Sequence, residues 1–233
     1  MASSREIALA ALRDEVIACR RCPRLVAWRE EVAATKRAAF RDEHYWGAPV
    51  PGFGDIDATV VVIGLAPAAH GANRTGRMFT GDRSGDWLFR AMHRAGLASQ
   101  PDSRHRDDGL VLWGSYVTAP VRCAPPANQP TPQERAACQG FLQAELALLE
   151  HARVFVALGA FGYQVLAQLL GVARPRPRFA HGLEVALPTG ATLLCSYHVS
   201  QQNTFTGRLT EPMLDAVFRR AATLGGRPLP DLG

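Results

Sequence analysis

The hydrophobic positions of this chain fall into short continuous runs separated by longer, mixed segments. Residues 58–65 form a continuous run rich in β-branched residues, which predicts a buried strand. Further strands are predicted over residues 110–118, 154–158, 183–187 and 192–197. The mixed segments have the length and spacing of helices, which are predicted over residues 4–18, 86–95, 132–150, 159–170 and 210–224. Strands and helices therefore alternate along the chain.

This alternation predicts an α/β fold in one domain, residues 1–224, followed by a loose C-terminal tail, residues 225–233. The expected architecture is a central, mostly parallel sheet with helices on both faces. Ligands of such folds bind outside the carboxyl ends of the strands. Three polar loops follow predicted strands at that edge, and they span residues 66–82, 119–130 and 198–207.

Capping signals mark the starts of two predicted helices. Ser3 with Glu6, and Thr131 with Glu134, have the spacing of a capping box, in which each side chain bonds the other residue's backbone N–H. Residues 23–56 give no such signal and end in a turn-rich stretch. That segment is therefore predicted to be irregular.

Composition narrows the class of protein. The chain has 233 residues, 47% hydrophobic and 20% charged, and no run approaches the 18 apolar residues of a membrane helix. Residues 1–6 include an acid and no long apolar run, which argues against a signal peptide. A cytoplasmic protein with reduced cysteines is expected. The net charge of +5 fits a polyanionic partner such as nucleic acid.

Four of the five cysteines fall into two pairs. Cys19 and Cys22 form a C-x-x-C, and Cys123 and Cys138 form a wider pair. A four-cysteine [4Fe–4S] cluster is favoured, because the spacing fits neither a zinc ribbon nor a zinc finger well; zinc and unrelated buried thiols are the alternatives. Cys195 lies in a predicted strand and is expected in the core. Cationic side chains near the paired cysteines would offset the charge of a thiolate-bound cluster: Arg20, Arg21, Arg24 and Arg122.

Two of the loops carry groups suited to chemistry. The stretch 64–82 ends in Asp82, either a helix N-cap or a carboxylate that acts on a ligand. Phe79 in the same stretch is either a core residue or a stacking surface. His198 stands at the end of a predicted strand, where the residues favour a structural and a catalytic role equally.

The motifs in these loops are long and specific. Residues 64–82 contain G-L-A-P-A-A-H-G and N-R-T-G-R-M-F-T-G-D, residues 122–128 read R-C-A-P-P-A-N, and residues 196–210 read S-Y-H-V-S-Q-Q-N-T-F-T-G-R-L-T. Together with the four paired cysteines, they resemble the uracil-DNA glycosylase superfamily over nearly the whole chain. The resemblance is strongest to family 5, whose members carry an iron–sulfur cluster.

The resemblance implies removal of a damaged base that has flipped out of the DNA stack. By the same resemblance, His198 would donate to uracil O2, Asn128 would bind the uracil edge and Phe79 would stack on its face. Asp82 would stabilise the sugar cation or orient the water, with Asp86 as the alternative carboxylate. Further base-site contacts are implied for Gly64, Ala66, Ala68, His70, Asn73 and Gly81. DNA contacts are expected from Arg74, Arg77, Gln202, Asn203, Phe205 and Arg208.

One position departs from most of the superfamily, which places an acidic or amide side chain just after the first strand to handle the water. This chain has Leu65, Ala66 and Pro67 there. The departure is itself typical of family 5. Because residues 65–67 have no polar side chain, another group must activate the attacking water.

The implied enzyme is monofunctional and hydrolytic, because the amine needed to nick the backbone has one candidate, Lys36, which lies outside the three loops. Its expected partner is single- or double-stranded DNA that contains uracil or another deaminated base such as hypoxanthine. A monomer without membrane association is expected. Two alternatives are a non-catalytic DNA-binding module with a cluster or zinc, and an electron-transfer protein.

Overall fold

Six strands form one mixed sheet at the centre of the molecule, which we describe from a computed structural model covering residues 3–228 and residue 230. The strands are β1 (Phe53–Gly54), β2 (Val60–Ile63), β3 (Ser115–Thr118), β4 (Val154–Leu158), β5 (Glu184–Ala186) and β6 (Thr192–Ser196). Their order across the sheet is β1-β3-β2-β4-β6-β5. The four inner strands are parallel and the two edge strands are antiparallel to their neighbours. The predicted mostly parallel sheet is confirmed.

Helices cover both faces of this sheet. They are α1 (Ser4–Ile17), α2 (Pro23–Thr35), α3 (Ala72–Thr75), α4 (Arg83–Arg94), α5 (Pro132–Leu148), α6 (Gly159–Leu169), α7 (Gln201–Phe205) and α8 (Glu211–Leu224). Val60 and Val62 of β2 face a core that includes α4 and α8, whereas Val61 and Ile63 face a core that includes α1 and α6. All four side chains are fully buried, as expected for a strand covered on both sides.

Two predicted boundaries move by three residues or more. The strand expected over residues 110–118 begins only at Ser115, because Val111 and Trp113 point to solvent and Leu112 makes an isolated bridge with Ala98. The helix expected over residues 86–95 begins earlier, at the first residue after Asp82. Both predicted capping boxes are present.

The prediction that residues 23–56 are irregular is wrong for their first third. Pro23 opens α2, which buries Leu25, Arg29 and Val32 on one face. These positions have helical spacing, but the middle one is an arginine, so the apolar stripe is interrupted in the sequence. A 3-10 turn at Ala38–Phe40 follows.

The chain continues against the domain after α8. Gly225 is buried beside Thr59 and Val60, and the guanidinium of Arg227 lies against Gly114. The predicted tail, residues 225–233, also includes residues 229 and 231–233, which lie outside the described residues. None of the described helices is both long enough and apolar enough to cross a membrane.

A buried ion pair joins the end of β3 to helix α5. Arg122 donates from Nη1 and Nη2 to the two carboxylate oxygens of Glu145, at 3.2 and 2.7 Å, and both side chains are about 1% exposed. Tyr116 and Thr118 of β3 donate their hydroxyls to the same carboxylate. Four donors thus satisfy one carboxylate that has no access to water.

Glu145→Ala is expected to lower the free energy of unfolding by about 3–5 kcal/mol, because it leaves the Arg122 guanidinium buried without its partner. Chemical denaturation of the purified variant measures this loss. Glu184→Ala is the matched control, since it breaks the exposed Glu184–Arg220 pair and is expected to change stability little. Equal losses in the two variants would contradict the importance assigned to the buried pair.

Candidate active site

One cavity lies at the carboxyl ends of the parallel strands, where the three polar loops were predicted to meet. Segments that follow β2, β3, β4 and β6 all contribute to its wall. The lining residues are Leu65, Ala66, Ala68, Met78, Phe79, Asp82, Arg83, Ser84, Ala127, Asn128, Leu158, Gly159, Ala160, Phe161, His198, Ser200, Gln201 and Gln202. Residues 158–161, at the end of β4 and the start of α6, were not predicted to take part, because they are small or apolar and carry no chemical signal.

Phe79 is held in the cavity wall by a strained backbone and two glycines. Its φ of 52° lies in the left-handed region, which is unfavourable for a bulky residue. Its ring lies directly on Gly64, where a Cβ atom would come within 2.5 Å of the ring edge. Its carbonyl oxygen approaches Gly85 so closely that a side chain there has no room. The ring can therefore stack on a ligand, since its position is fixed by the scaffold.

Asp82 is both the N-cap of α4 and a carboxylate in the cavity wall. Its Oδ1 accepts hydrogen bonds from the backbone N–H groups of Ser84 and Gly85, at 2.9 and 3.0 Å. Its Oδ2 lies against Gly71, where a Cβ atom would collide with it. Burial raises the pKa of this carboxyl, and the two backbone N–H groups partly oppose that rise. The two roles considered from the sequence are thus compatible, because each uses a different oxygen.

His198 is a neutral imidazole at physiological pH. Burial lowers its pKa to about 4, since the charged form would lose its hydration. The Nδ2 of Asn203 donates to the His198 carbonyl at 2.9 Å and fixes the backbone that carries the ring. The ring centroid lies 6.4 Å from that of Phe79. A neutral imidazole retains one N–H donor and one acceptor beside that aromatic face.

Asn128 reaches the cavity from the loop after β3. It is exposed, and it follows Ala127 with both residues in the left-handed region, at φ 56° and 52°. Two consecutive left-handed residues are uncommon and persist only where the surroundings fix them. The structure thus brings Asp82, His198, Asn128 and Phe79 to one cavity, as predicted.

Two predicted contact residues, Asn73 and Arg74, lie inside the protein, where they have other partners. Asn73 is fully buried and donates its Nδ2 to the backbone carbonyl of Arg29. Arg74 donates to the carbonyls of His70 and Gly81 and pairs with Glu43. This placement does not support the predicted base contact of Asn73 or the predicted DNA contact of Arg74.

Arg77 has a similar internal role. It donates to both carboxylate oxygens of Asp108 at 2.7 Å and to the hydroxyls of Thr80 and Ser103, and its side chain is 8% exposed. Its predicted contact with DNA phosphate is therefore not supported. The long, polar loop appeared from its sequence to be exposed, but its arginines are neutralised by acids distant in the chain.

A second cavity adjoins the first and contains two more predicted residues. His70 and Gly81 line it, and the His70 Nδ1 lies 3.0 Å from the hydroxyl of Tyr45. Its full lining is Arg37, Phe40, Glu43, Ala68, Ala69, His70, Gly71, Arg74, Gly81, Asp82, Arg83, Asp86, Ser103, Arg104, His105, Asn128 and Gln201. Asp86, the alternative carboxylate, faces this second cavity and not the first.

Of the four predicted DNA contacts of the last loop, one lines the first cavity and three do not. Gln202 lines it, whereas Phe205 and Arg208 are exposed beyond it. Phe205 is 64% exposed, and the guanidinium of Arg83 lies 4.7 Å from its ring centroid. These positions are compatible with contact to DNA.

The four paired cysteines line one further cavity, near the start of α2. Arg29, which was not predicted to take part, donates from Nη1 to Cys123 Sγ at 3.0 Å, and the backbone N–H of Arg122 donates to Cys138 Sγ at 3.3 Å. Of the arginines that were predicted, Arg20 and Arg24 instead pair with glutamates. Among the described residues, no three histidine, cysteine or acidic side chains converge as ligands of one metal ion. Cys195 is buried in the core, as predicted.

The chain is similar in sequence to known proteins over most of its length. The family model of the uracil DNA glycosylase superfamily matches residues 51–222. The type-5 uracil-DNA glycosylase of Mycobacterium tuberculosis is 58% identical over 210 residues, which cover 89% of this chain and 78% of that protein. The type-5 enzyme of Thermus thermophilus is 55% identical over 209 residues, which cover 90% of this chain and 94% of that protein.

A type-4 uracil-DNA glycosylase is a more distant relative. The type-4 uracil-DNA glycosylase of Thermotoga maritima is 36% identical over 112 residues, about half of each chain. The similarity to the type-5 proteins is higher and covers most of the chain. By its sequence, this chain belongs to the uracil DNA glycosylase superfamily, and within it to the type-5 uracil-DNA glycosylases.

Proposed function

We propose that this chain is a monofunctional DNA glycosylase that hydrolyses the N-glycosidic bond of deoxyuridine in DNA. The observation that carries the proposal is the convergence of a partly buried carboxylate, a neutral histidine, an exposed amide and a fixed aromatic ring in one cavity. A base can enter this cavity only after it has left the DNA stack. The names of the type-5 relatives support uracil as the base.

The reaction separates charge, and the cavity offers a group for each charge. The bond between C1′ of the sugar and N1 of uracil breaks, and its electron pair leaves with the base. Positive charge develops on the sugar and negative charge on uracil O2 and N1. Water then adds to C1′ and loses one proton, and the uracil anion takes up one proton from solvent, so the products are free uracil and an abasic site. Groups fixed in advance stabilise such charges without reorganisation.

Asp82 is the group suited to the sugar. Its Oδ2 is not used by the helix cap and carries negative charge when the carboxyl is ionised. A carboxylate in this position stabilises the developing sugar cation and accepts a hydrogen bond from the attacking water. Leu65 and Ala66, which line the same cavity, have no side-chain atom that could do so.

His198, Asn128 and Phe79 are suited to the base. A neutral imidazole donates one N–H to uracil O2 and stabilises the leaving anion without donating a full proton to it. The carboxamide of Asn128 can both donate and accept, which matches the O4 and N3–H edge of uracil. The Phe79 ring supplies a face for stacking.

Hydrolysis without strand cleavage follows from the position of the single lysine. Lys36 donates its Nζ to the carbonyl of Arg41 and lines neither cavity. No lysine amine is therefore available near C1′ to form a Schiff base with the abasic sugar. We extend the proposal to hypoxanthine. The side chains of Leu65 and Ala66 are apolar, so at these two positions no hydrogen-bonding group would lose its partner when a base other than uracil enters.

The primary test uses a labelled DNA strand with one uracil. Strand cleavage is expected only after alkali, and Asp82→Asn is expected to lower the excision rate by about 10²–10⁴-fold. Asparagine caps a helix as well as aspartate does, so this variant removes the charge and keeps the cap. A strand that carries hypoxanthine is expected to be cut in the same assay.

The matched control is Asp14→Asn, on the exposed face of α1, which is expected to retain full activity. Cleavage of the product strand without alkali would contradict the monofunctional assignment. Binding of uracil-containing DNA without release of uracil would instead favour the non-catalytic module.

The excision rate is expected to show no inflection near pH 6.5, because His198 with a pKa of about 4 stays neutral above that value. The rate should fall only on the acid side, where Asp82 takes up a proton at a pH above its ordinary pKa of 3.8. His198→Ala should lower the rate by about 10²–10³-fold at every pH from 6 to 8. A pH–rate profile of the wild-type protein and both site variants measures these effects.

The exposed His151→Ala serves as the control and should leave the profile unchanged. An inflection near pH 6.5 that disappears in His198→Ala would show that this histidine acts as a cation. That result would overturn its role as a neutral donor.

We also propose that Cys19, Cys22, Cys123 and Cys138 hold a [4Fe–4S] cluster. Support comes from the single cavity that all four line and from the two N–H groups directed at their sulfur atoms. Zinc is the alternative metal for four thiolates. Bound there, a cluster would link the segment before α2 to the loop after β3 and to α5.

Cys123→Ser is expected to lose iron and to melt at a lower temperature, because the cluster would tie three separate segments of the chain together. Iron and sulfide analysis, the visible absorption spectrum and thermal unfolding measure the two effects. Cys195→Ala, in the core and away from the cavity, is expected to retain iron. Recovery of stoichiometric zinc, or a stable and active Cys123→Ser protein without metal, would refute the cluster.

A further inference from the structure

The second cavity lies beside the first. They share Ala68, Asp82, Arg83, Asn128 and Gln201 in their walls. A nucleotide whose base occupies the first cavity therefore has its next neighbours in the strand close to the second. None of the functions assigned above uses this space.

Cationic side chains on the wall of the second cavity are available to a ligand. Among the residues that the structure describes, neither Arg37 nor Arg83 lies within ion-pair distance of a carboxylate. Arg104 pairs with Asp102, but its side chain is 80% exposed, so this pair is weak. The exposed His105 adjoins Arg104.

The acidic side chains that line the second cavity lie mainly on one side of it, at the start of α4. Glu43 is neutralised by Arg74, while Asp82 and Asp86 both belong to the start of α4. Arg37 and Arg104 come from two other segments of the wall. Burial lowers the pKa of His70, and the charge of Arg37 contributes to this shift, so Arg37 acts electrostatically on the cavity lining. An anion is thus repelled near α4 and attracted toward Arg37 and Arg104.

We propose that the second cavity binds the phosphodiester backbone of the damaged strand on one side of the flipped nucleotide, with Arg37 and Arg104 as the phosphate contacts. The inference rests on the proposed glycosylase function and names residues that take the role first expected of Arg74 and Arg77. Arg83, at the junction of the two cavities, lies where the strand passes from one to the other. Arginine suits this role, because its planar group binds phosphate through two N–H donors.

The test measures binding of a single DNA strand with one 2′-fluoro-2′-deoxyuridine, whose electron-withdrawing fluorine slows glycosidic cleavage. Arg37→Ala and Arg104→Ala are each expected to weaken binding by up to about fivefold, the effect of one exposed charge pair. Each should also reduce the slope of log K against log salt by about 0.7, the value for one phosphate of a single strand. Arg219→Ala, on the exposed surface of α8, is the control and should change neither quantity.

Trimming the strand separates a local contact from general attraction. Removal of the nucleotides on the side that enters the second cavity should weaken wild-type binding and abolish the difference between the wild type and the variants. Trimming the other side should leave that difference intact. A difference that persists with both trimmed strands, or no difference with the full strand, would overturn the proposal.

The outcome is distinguishable from failure of the proposed function. If the wild-type protein removes uracil but Arg37→Ala and Arg104→Ala bind the full strand normally, only the second-cavity site is refuted. If the wild-type protein neither binds nor cuts uracil-containing DNA, the glycosylase function fails and this site fails with it. Thermal unfolding of both variants verifies that they are folded.

Discussion

The buried contact between Arg122 and Glu145 is the interaction on which the rest of the site depends. It joins the end of β3 to α5, and the residue after Arg122 is Cys123, which starts the loop that leads to Asn128. Tyr116 and Thr118 also donate to the carboxylate, which offsets part of the cost of burying its charge. A buried ion pair of this kind contributes less to net stability than to the fixed placement of its two segments. The cysteine cavity and the Asn128 loop therefore share one anchor.

Strain is concentrated around the cavity, and the scaffold supports it. Phe79, Ala127 and Asn128 all have positive φ, which costs about 1 kcal/mol or more at each residue without other compensation. Phe79 is compensated by close packing against Gly64 and Gly85. Such arrangements place a ring and an amide where relaxed backbone would not. Cavity residues of this kind are less free to move, which suits the proposed contact with a base in one geometry.

The sequence predicted most of the fold and the centre of the site because those signals are local. Continuous apolar runs located the inner strands, and strand–loop alternation located the edge where Asp82 and His198 meet. The sequence did not reveal the roles of three buried arginines, because those roles depend on distant residues. Arg29 was not predicted to take part, and Arg74 and Arg77 were predicted to contact DNA. Their partners lie far away in the chain, so nothing near them in the sequence shows that they are buried. The helix α2 was missed because a buried arginine interrupts its apolar face.

A single physical condition, loss of water, produces opposite and useful changes in the two main groups of the cavity. Desolvation disfavours every charge, so it keeps His198 neutral and raises the pKa of Asp82. Only Asp82 has compensation, because two backbone N–H groups of α4 bind its Oδ1 and favour the ionised form. In the proposed reaction, the start of α4 would favour a negative charge beside the sugar, where positive charge develops. The neutral histidine would donate to the base, where negative charge develops. Without these two N–H groups, in surroundings like those of His198, desolvation would favour the protonated form of the Asp82 carboxyl.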